Sequence, residues 1–211
     1  KNNITHEGQK VLFILSYLKK IRLDNLADNQ EFTKLLQITD ITEKEFRDGV
    51  ERLHERELCN IYNNKIVKIA DQSLDDYIVI KFLINKKVSV LEILRELYPL
   101  NNQKVVQILN QFSNFIKKES DVEIVSDAVK KHYSENSFKN GQDEEKFLTQ
   151  FGVLLPLEAI SYIKNKIDNI EIEDYTRDSF IDEKNKKTTI KDSILLIVHT
   201  ISRTNYYKHA L

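Results

Sequence analysis

Residues 42–83 constrain the fold of this chain more than any other stretch, because a helical period changes there into the period of a strand. Thr42 is followed three positions later by Glu45, which is the spacing of a capping box, so we expect a helix that begins at Glu43. Apolar residues then recur at helical spacing until about residue 57. Gly49 interrupts the flank of this stripe and favours a close crossing with another helix.

A β-hairpin is predicted directly after this helix. Apolar and polar residues alternate over residues 58–62 and again over residues 65–69, and Asn63 and Asn64 lie between the two runs. Asparagine tolerates a positive φ, so this pair suits a two-residue hairpin turn. Two further helices are predicted upstream, at about 6–21 and 30–37. A hairpin that follows three helices is the order of a winged helix-turn-helix.

The segment after the hairpin is expected to form another helix, capped by Asp71 or Ser73. Asp75 and Asp76 fall in its first turn, where the helix dipole favours carboxylates, and capping is the simplest interpretation of both. Apolar residues occupy more than one side of this helix. We therefore expect part of it to be a docking face around Asp71 and Tyr77, although the helices that follow could also cover it. The apolar residues concerned are Leu74, Tyr77, Ile78, Val79, Ile80 and Leu83.

The remainder of the chain reads as helices joined by short connections, which indicates a stack of helical hairpins resembling an α-solenoid. The predicted fold is mainly α with one small β-hairpin, a winged helix at 1–85 followed by a helical arm at 86–211. A polar linker is expected at 134–144 and a solvated loop within 170–190. Further helices are predicted at about 88–98, from Asn101 or Asn102, from Ser120, and at about 144–154, 156–168 and 191–203, with another beginning at Tyr206.

Composition indicates a soluble cytoplasmic protein. Charged residues make up 31% of the chain and the net charge is −1, so bulk charge implies neither a nucleic-acid nor a membrane partner. No apolar run reaches the roughly 18 residues that span a bilayer, and the first residues lack the pattern of a signal peptide. Cys59 is the single cysteine, which excludes an internal disulfide and fits a reducing compartment, where it is expected to be a small buried side chain.

Motifs for catalysis, metal binding and phosphate binding are absent from the sequence. The five histidines are scattered, and none is spaced with another ligand as in a metal-binding motif. Neither GxxxxGK[ST] nor GxGxxG occurs. We therefore expect a protein that is not an enzyme and that holds no metal and no cofactor of its own.

Nucleic-acid binding is the alternative function, in which a winged-helix transcriptional regulator carries a helical dimerisation or sensing domain. Its phosphate contacts would be Arg47, Arg52, Lys65 and Lys68. The helix at 43–57 argues against it, because it contains four basic and six acidic residues and so carries a net charge of −2. A protein-interaction scaffold is a third possibility.

The run KIVKIADQSLDDYIVIKFL at 65–83 resembles the end of the winged helix in STAND-type signal-transduction ATPases, a branch of the AAA+-like P-loop proteins. In that family a short motif follows the ribbon and closes over the nucleotide-binding domain. Asp71 stands where the family often has a histidine, Gln72 and Ser73 follow, and Leu74 and Tyr77 match the apolar positions. The runs at 154–167 and 192–211 resemble the helical arm of such proteins.

The resemblance implies a non-catalytic C-terminal part of a larger STAND-like ATPase that relays nucleotide state. Its partner would be the P-loop ATPase domain of the same polypeptide, contacted through Asp71, Gln72, Leu74 and Tyr77. ATP would be bound by that neighbouring domain, and the helical arm would contact other proteins. Because a carboxylate repels phosphate, Asp71 fits a domain contact better than a nucleotide ligand.

Overall fold

The computed structural model describes residues 4–115, 119–136, 138, 141–168 and 193–202. Over these residues the chain is mainly helical and contains a small three-stranded antiparallel sheet. Two short 3-10 helices, Leu23–Asn25 and Gln72–Leu74, interrupt the first half. The other elements are α1 (His6–Leu18), β1 (Ile21–Arg22), α2 (Gln30–Thr39), α3 (Glu43–Glu55), β2 (Cys59–Tyr62), β3 (Ile66–Ile69), α4 (Asp75–Ile84), α5 (Val90–Glu96), α6 (Asn102–Phe115), α7 (Glu119–Glu135), α8 (Gly141–Phe151), α9 (Pro156–Asp168) and α10 (Ser193–Ile201).

The chain divides into two compact units, residues 1–128 and residues 129–211. The boundary predicted from the sequence, between a winged helix at 1–85 and a helical arm at 86–211, stays a prediction. Within the described residues, no helix has both the length and the hydropathy that a membrane span requires.

Helix α1 forms the centre of the first unit, because α2, α3, α4 and β3 all pack against it. Its residues from Val11 to Tyr17 are buried almost without interruption. The Phe13 ring stacks on Phe82 of α4 with the ring centroids 5.1 Å apart. Thr5 caps the helix by accepting a hydrogen bond from the Gly8 amide at 3.1 Å. An almost fully buried helix of this kind gains most of its stability from tertiary packing.

The predicted capping box at the start of α3 is confirmed. The Glu45 amide donates to Thr42 Oγ1 at 3.2 Å, and the Thr42 amide donates to Glu45 Oε2 at 2.7 Å. The close crossing predicted at Gly49 is also present, since a Cβ placed there would lie 2.6 Å from Cγ2 of Val11. These contacts fix both the start of α3 and its distance from α1.

The predicted hairpin is confirmed, with Cys59 opposite Ile69 and Tyr62 opposite Ile66. Asn63 and Asn64 adopt φ values of 49° and 54°, the left-handed region that a type I′ turn requires at both central positions.

The third strand, β1, was not predicted, and it corrects the extent of the first helix. We expected that helix to continue to residue 21, but it ends at Leu18 because Lys19 adopts a φ of 61°. Ile21 then pairs with Val67 of β3 and is buried. Ile21, which periodicity alone assigned to the helix, therefore pairs with the free edge of β3. The strand order is β1-β3-β2.

The core of the second unit surrounds Phe147 of α8, which is fully buried. Its ring centroid lies 4.7 Å from that of Phe151 and 5.3 Å from that of His132. Helix α10 packs on both α8 and α9. Pro156 is the first residue of α9, as predicted. Helix α8 begins at Gly141, three residues earlier than expected, while the loop within 170–190 and the helix from Tyr206 lie outside the described residues.

Candidate interdomain contact site

The turn between β3 and α4 is organised by Asp71. Its Oδ1 accepts hydrogen bonds from the Ser73 amide at 3.0 Å and from the Ser73 hydroxyl at 2.6 Å. The hydroxyl and the amide of Ser73 hold the pKa of the Asp71 carboxyl below its usual value, so this exposed group is charged at neutral pH. Asp71 thus caps the 3-10 helix Gln72–Leu74. The prediction that Asp71 or Ser73 caps the following α-helix is wrong, because Leu74 is the N-cap of α4 and no side chain caps that helix.

We call Asp71, Gln72, Leu74 and Tyr77 the docking face, and the structure places all four on the surface of the first unit. Leu74 is 45% exposed and Tyr77 is 48% exposed, high fractions for large apolar side chains. The Lys81 ammonium lies 5.9 Å from the Tyr77 ring centroid.

The rest of α4 contributes to the core of the first unit. Ile80 and Leu83 are buried there, while Ile78 is half-buried. The helix thus packs along most of its length and leaves its N-terminal end, with Leu74 and Tyr77, in contact with solvent. Among the described residues of α4 and the turn before it, Leu74 and Tyr77 are the large apolar side chains that are exposed.

Asp75 follows the exposed Leu74 in the sequence but is itself buried, with 3% of its surface exposed. Its Oδ1 has no hydrogen-bond partner among the described residues. Burial raises the pKa of Asp75 to about 6, with Lys19 lowering it and Asp76 and Asp71 raising it further. The sequence placed this residue correctly in the first turn but missed its burial. A signal was present, because Asp75 shares a helical face with Val79, which is buried.

Asp76 connects the start of α4 to two other helices. One carboxylate oxygen lies 3.3 Å from Nζ of Lys19, just after α1, and the other accepts from Nε2 of Gln111 in α6 at 2.9 Å. Neither partner was predicted from the sequence, since both contacts join residues far apart in the chain. The N-terminal end of α4 is therefore tied to α1 and α6.

The four basic residues proposed for nucleic-acid contact are in different situations. Both Nε and Nη2 of Arg47 donate to Glu43 Oε1, at 2.9 and 2.7 Å, and Nη2 also donates to the Leu23 carbonyl at 2.9 Å. Arg52 and Lys65 are exposed, and Lys68 is half-buried. Because Arg47 pairs with Glu43, fewer of these basic side chains are available to contact phosphate than the sequence suggested. DNA binding stays a prediction.

Cys59 is buried in β2, as expected for a small apolar side chain. Its thiol donates to the Val50 carbonyl at 3.5 Å, and burial raises its pKa to about 11, so it stays protonated at neutral pH. Among the described residues, no three His, Cys, Asp or Glu side chains are grouped as metal ligands would be.

Comparisons with protein-family models, with curated proteins and with solved structures found no match to this chain. Its function is therefore inferred from its own residues.

Proposed function

We propose that this chain relays nucleotide state in a STAND-like ATPase, in which the docking face contacts the P-loop ATPase domain of the same polypeptide. Residues 1–85 are assigned as its winged helix and residues 86–211 as a solenoid-like helical arm. The observation that carries the proposal is the exposure of Leu74 and Tyr77, at 45% and 48%, on the segment that resembles the family motif. Exposed apolar side chains that are grouped, as Leu74 and Tyr77 are at the start of α4, mark protein contacts more often than isolated ones do.

The charge of the docking face supports a protein partner over a nucleotide. Asp71 is exposed, ionised and oriented by Ser73, so a phosphate placed beside it would be repelled. A backbone amide or a basic side chain would instead find a fixed acceptor. The docking face thus combines an apolar contact with a polar one that sets orientation.

The contacts of Asp76 supply a route for the relay. A partner that shifts the N-terminal end of α4 would act on the Asp76 contacts with Lys19 and Gln111, which connect it to α1 and α6. A nucleotide-dependent partner changes the state of this unit only if it binds the two arrangements with different affinity. Other proteins would be contacted through the helical arm.

The first test is nucleotide binding by calorimetry and ATP turnover by a phosphate-release assay. This chain alone should neither bind ATP nor hydrolyse it. In the complete product of its gene, Leu74→Ser and Tyr77→Ser should change ATP turnover about fivefold, since each removes about 1 kcal/mol of apolar burial at the contact.

Tyr62→Ser is the matched control, because Tyr62 is 50% exposed but lies on the hairpin, away from α4. It should leave turnover unchanged. Micromolar ATP binding by this chain alone, or equal changes in turnover for Tyr62→Ser and Tyr77→Ser, would contradict the proposal.

A further inference from the structure

A groove of about 720 Å³ lies in the second unit along α9. Tyr133 at the end of α7 and Glu144 in the first turn of α8 form one wall. Helix α9 forms the other wall, with Leu157 and Glu158 near its start and Lys166 near its end. None of these residues belongs to the docking face, which lies in the first unit.

Carboxylates dominate one end of the groove. Oε1 of Glu144 accepts a hydrogen bond from the Tyr133 hydroxyl at 2.6 Å, which leaves its other oxygen available. Glu158 also lines the groove and is half-buried. Burial, the hydrogen bond to Glu144 and the charges of Glu144 and Glu158 together raise the pKa of Tyr133. The phenol therefore stays protonated, and this end of the groove is negative.

An exposed apolar side chain lies next to these carboxylates. Leu157, directly before Glu158, is 60% exposed. At the other end of the groove, Nζ of Lys166 lies 5.6 Å from the centroid of the Tyr162 ring. Because Glu158 and Lys166 are eight residues apart on one helix, they are separated by about 12 Å along its axis. That length matches about four residues of extended chain.

We propose that this groove binds an extended peptide segment in which an arginine or lysine lies next to an apolar residue. The basic side chain pairs with Glu158 and with the available oxygen of Glu144. The apolar residue packs on Leu157. Arginine suits the site best, because its planar guanidinium can donate to two carboxylates at once.

The test is an NMR titration of the 211-residue chain with the peptide acetyl-Leu-Arg-Leu-amide, with acetyl-Leu-Glu-Leu-amide as the charge-reversed probe. The arginine peptide should produce saturable shifts of backbone amides in α9, and the glutamate peptide should not. Glu158→Gln should raise the Kd of the arginine peptide about fivefold, the loss expected for one partly exposed ion pair.

Two further variants separate binding from folding. Glu144→Gln keeps an acceptor for the Tyr133 hydroxyl while removing the charge, so it should preserve the fold and also weaken binding. Glu55→Gln, at an exposed position of α3, should leave the Kd unchanged. Equal shifts with both peptides, equal affinity of Glu158→Gln and Glu55→Gln, or the absence of any saturable shift would overturn the proposal.

Discussion

At the scale of single residues, Asp75 is a carboxyl group that the fold removes from water while one of its oxygens lacks a partner among the described residues. Ionising such a group costs free energy, because burial favours the neutral form. The raised pKa of about 6, against 3.8 for an ordinary aspartate, expresses that cost. Asp75 also lies between the exposed Leu74 and Tyr77 in the sequence, so an unfavourable buried group and the docking face share the first turn of α4.

Replacing Asp75 with Asn should stabilise the protein at neutral pH. The folded state holds the Asp75 proton more tightly than the unfolded state does, so this contribution to stability is complete below pH 3.8 and is lost as the pH rises through about 6. Asp75→Asn should therefore raise the free energy of unfolding by about 1–3 kcal/mol at pH 7.5, and by much less at acidic pH. Urea denaturation across this pH range measures the difference.

Asp76→Asn is the control for that experiment. Asp76 already has the Lys19 ammonium and the Gln111 amide as partners, so removal of its charge should bring no gain at neutral pH. If Asp75→Asn were no more stable than the unmodified chain at pH 7.5, Asp75 would have to be better solvated than its burial indicates.

At the scale of elements, the crossing of α1 and α3 depends on Gly49. A methyl group there would lie 2.6 Å from Cγ2 of Val11, which is fully buried. Valine has one strongly preferred rotamer in a helix, so Val11 cannot turn away. Gly49→Ala should therefore lower the free energy of unfolding by about 1–2 kcal/mol, although alanine favours helix by about 1 kcal/mol. Thermal denaturation followed by circular dichroism measures this change.

Gly141→Ala is the matched substitution in the other unit. The nearest atom to its added methyl group would be Nζ of Lys166 at 3.9 Å, the end of a flexible side chain. It should leave stability unchanged or raise it slightly. A Gly49→Ala variant as stable as Gly141→Ala would mean that the two helices can separate at little cost.

Features set by neighbouring residues could be predicted from the sequence. The capping box of Thr42 and Glu45 closes within one helical turn, and the turn at Asn63 and Asn64 depends on a local backbone preference. Both are present as predicted. Asp71 was also identified as a cap from its own segment, but it caps the 3-10 helix Gln72–Leu74 and not α4.

Features set by distant residues could not be predicted in the same way. Strand β1 forms because Ile21 reaches the open edge of β3, which lies more than forty positions later in the chain. The burial of Asp75 and the pairing of Asp76 with Lys19 and Gln111 depend on how α4 packs against α1 and α6. Local periodicity carries no information on these contacts.

At the scale of the whole molecule, each unit offers a surface of distinct chemistry. The first unit exposes apolar side chains beside a fixed carboxylate, in the docking face of Asp71, Gln72, Leu74 and Tyr77. The second unit contains the carboxylate-lined groove along α9. We propose that the first contacts an ATPase domain and the second a basic peptide, so a single chain would join a nucleotide-dependent partner to another protein.

The most direct measurement of the central claim is photo-crosslinking from position 77 in the purified complete gene product, with either ATP or ADP added. Benzoylphenylalanine replaces Tyr77 in one sample and the equally exposed Tyr62 in the other. Mass spectrometry should find crosslinks from position 77 in peptides of a P-loop ATPase domain, with yields that differ between ATP and ADP. Crosslinks from position 77 that match those from position 62, or that contain no peptide of a P-loop domain, would contradict the claim.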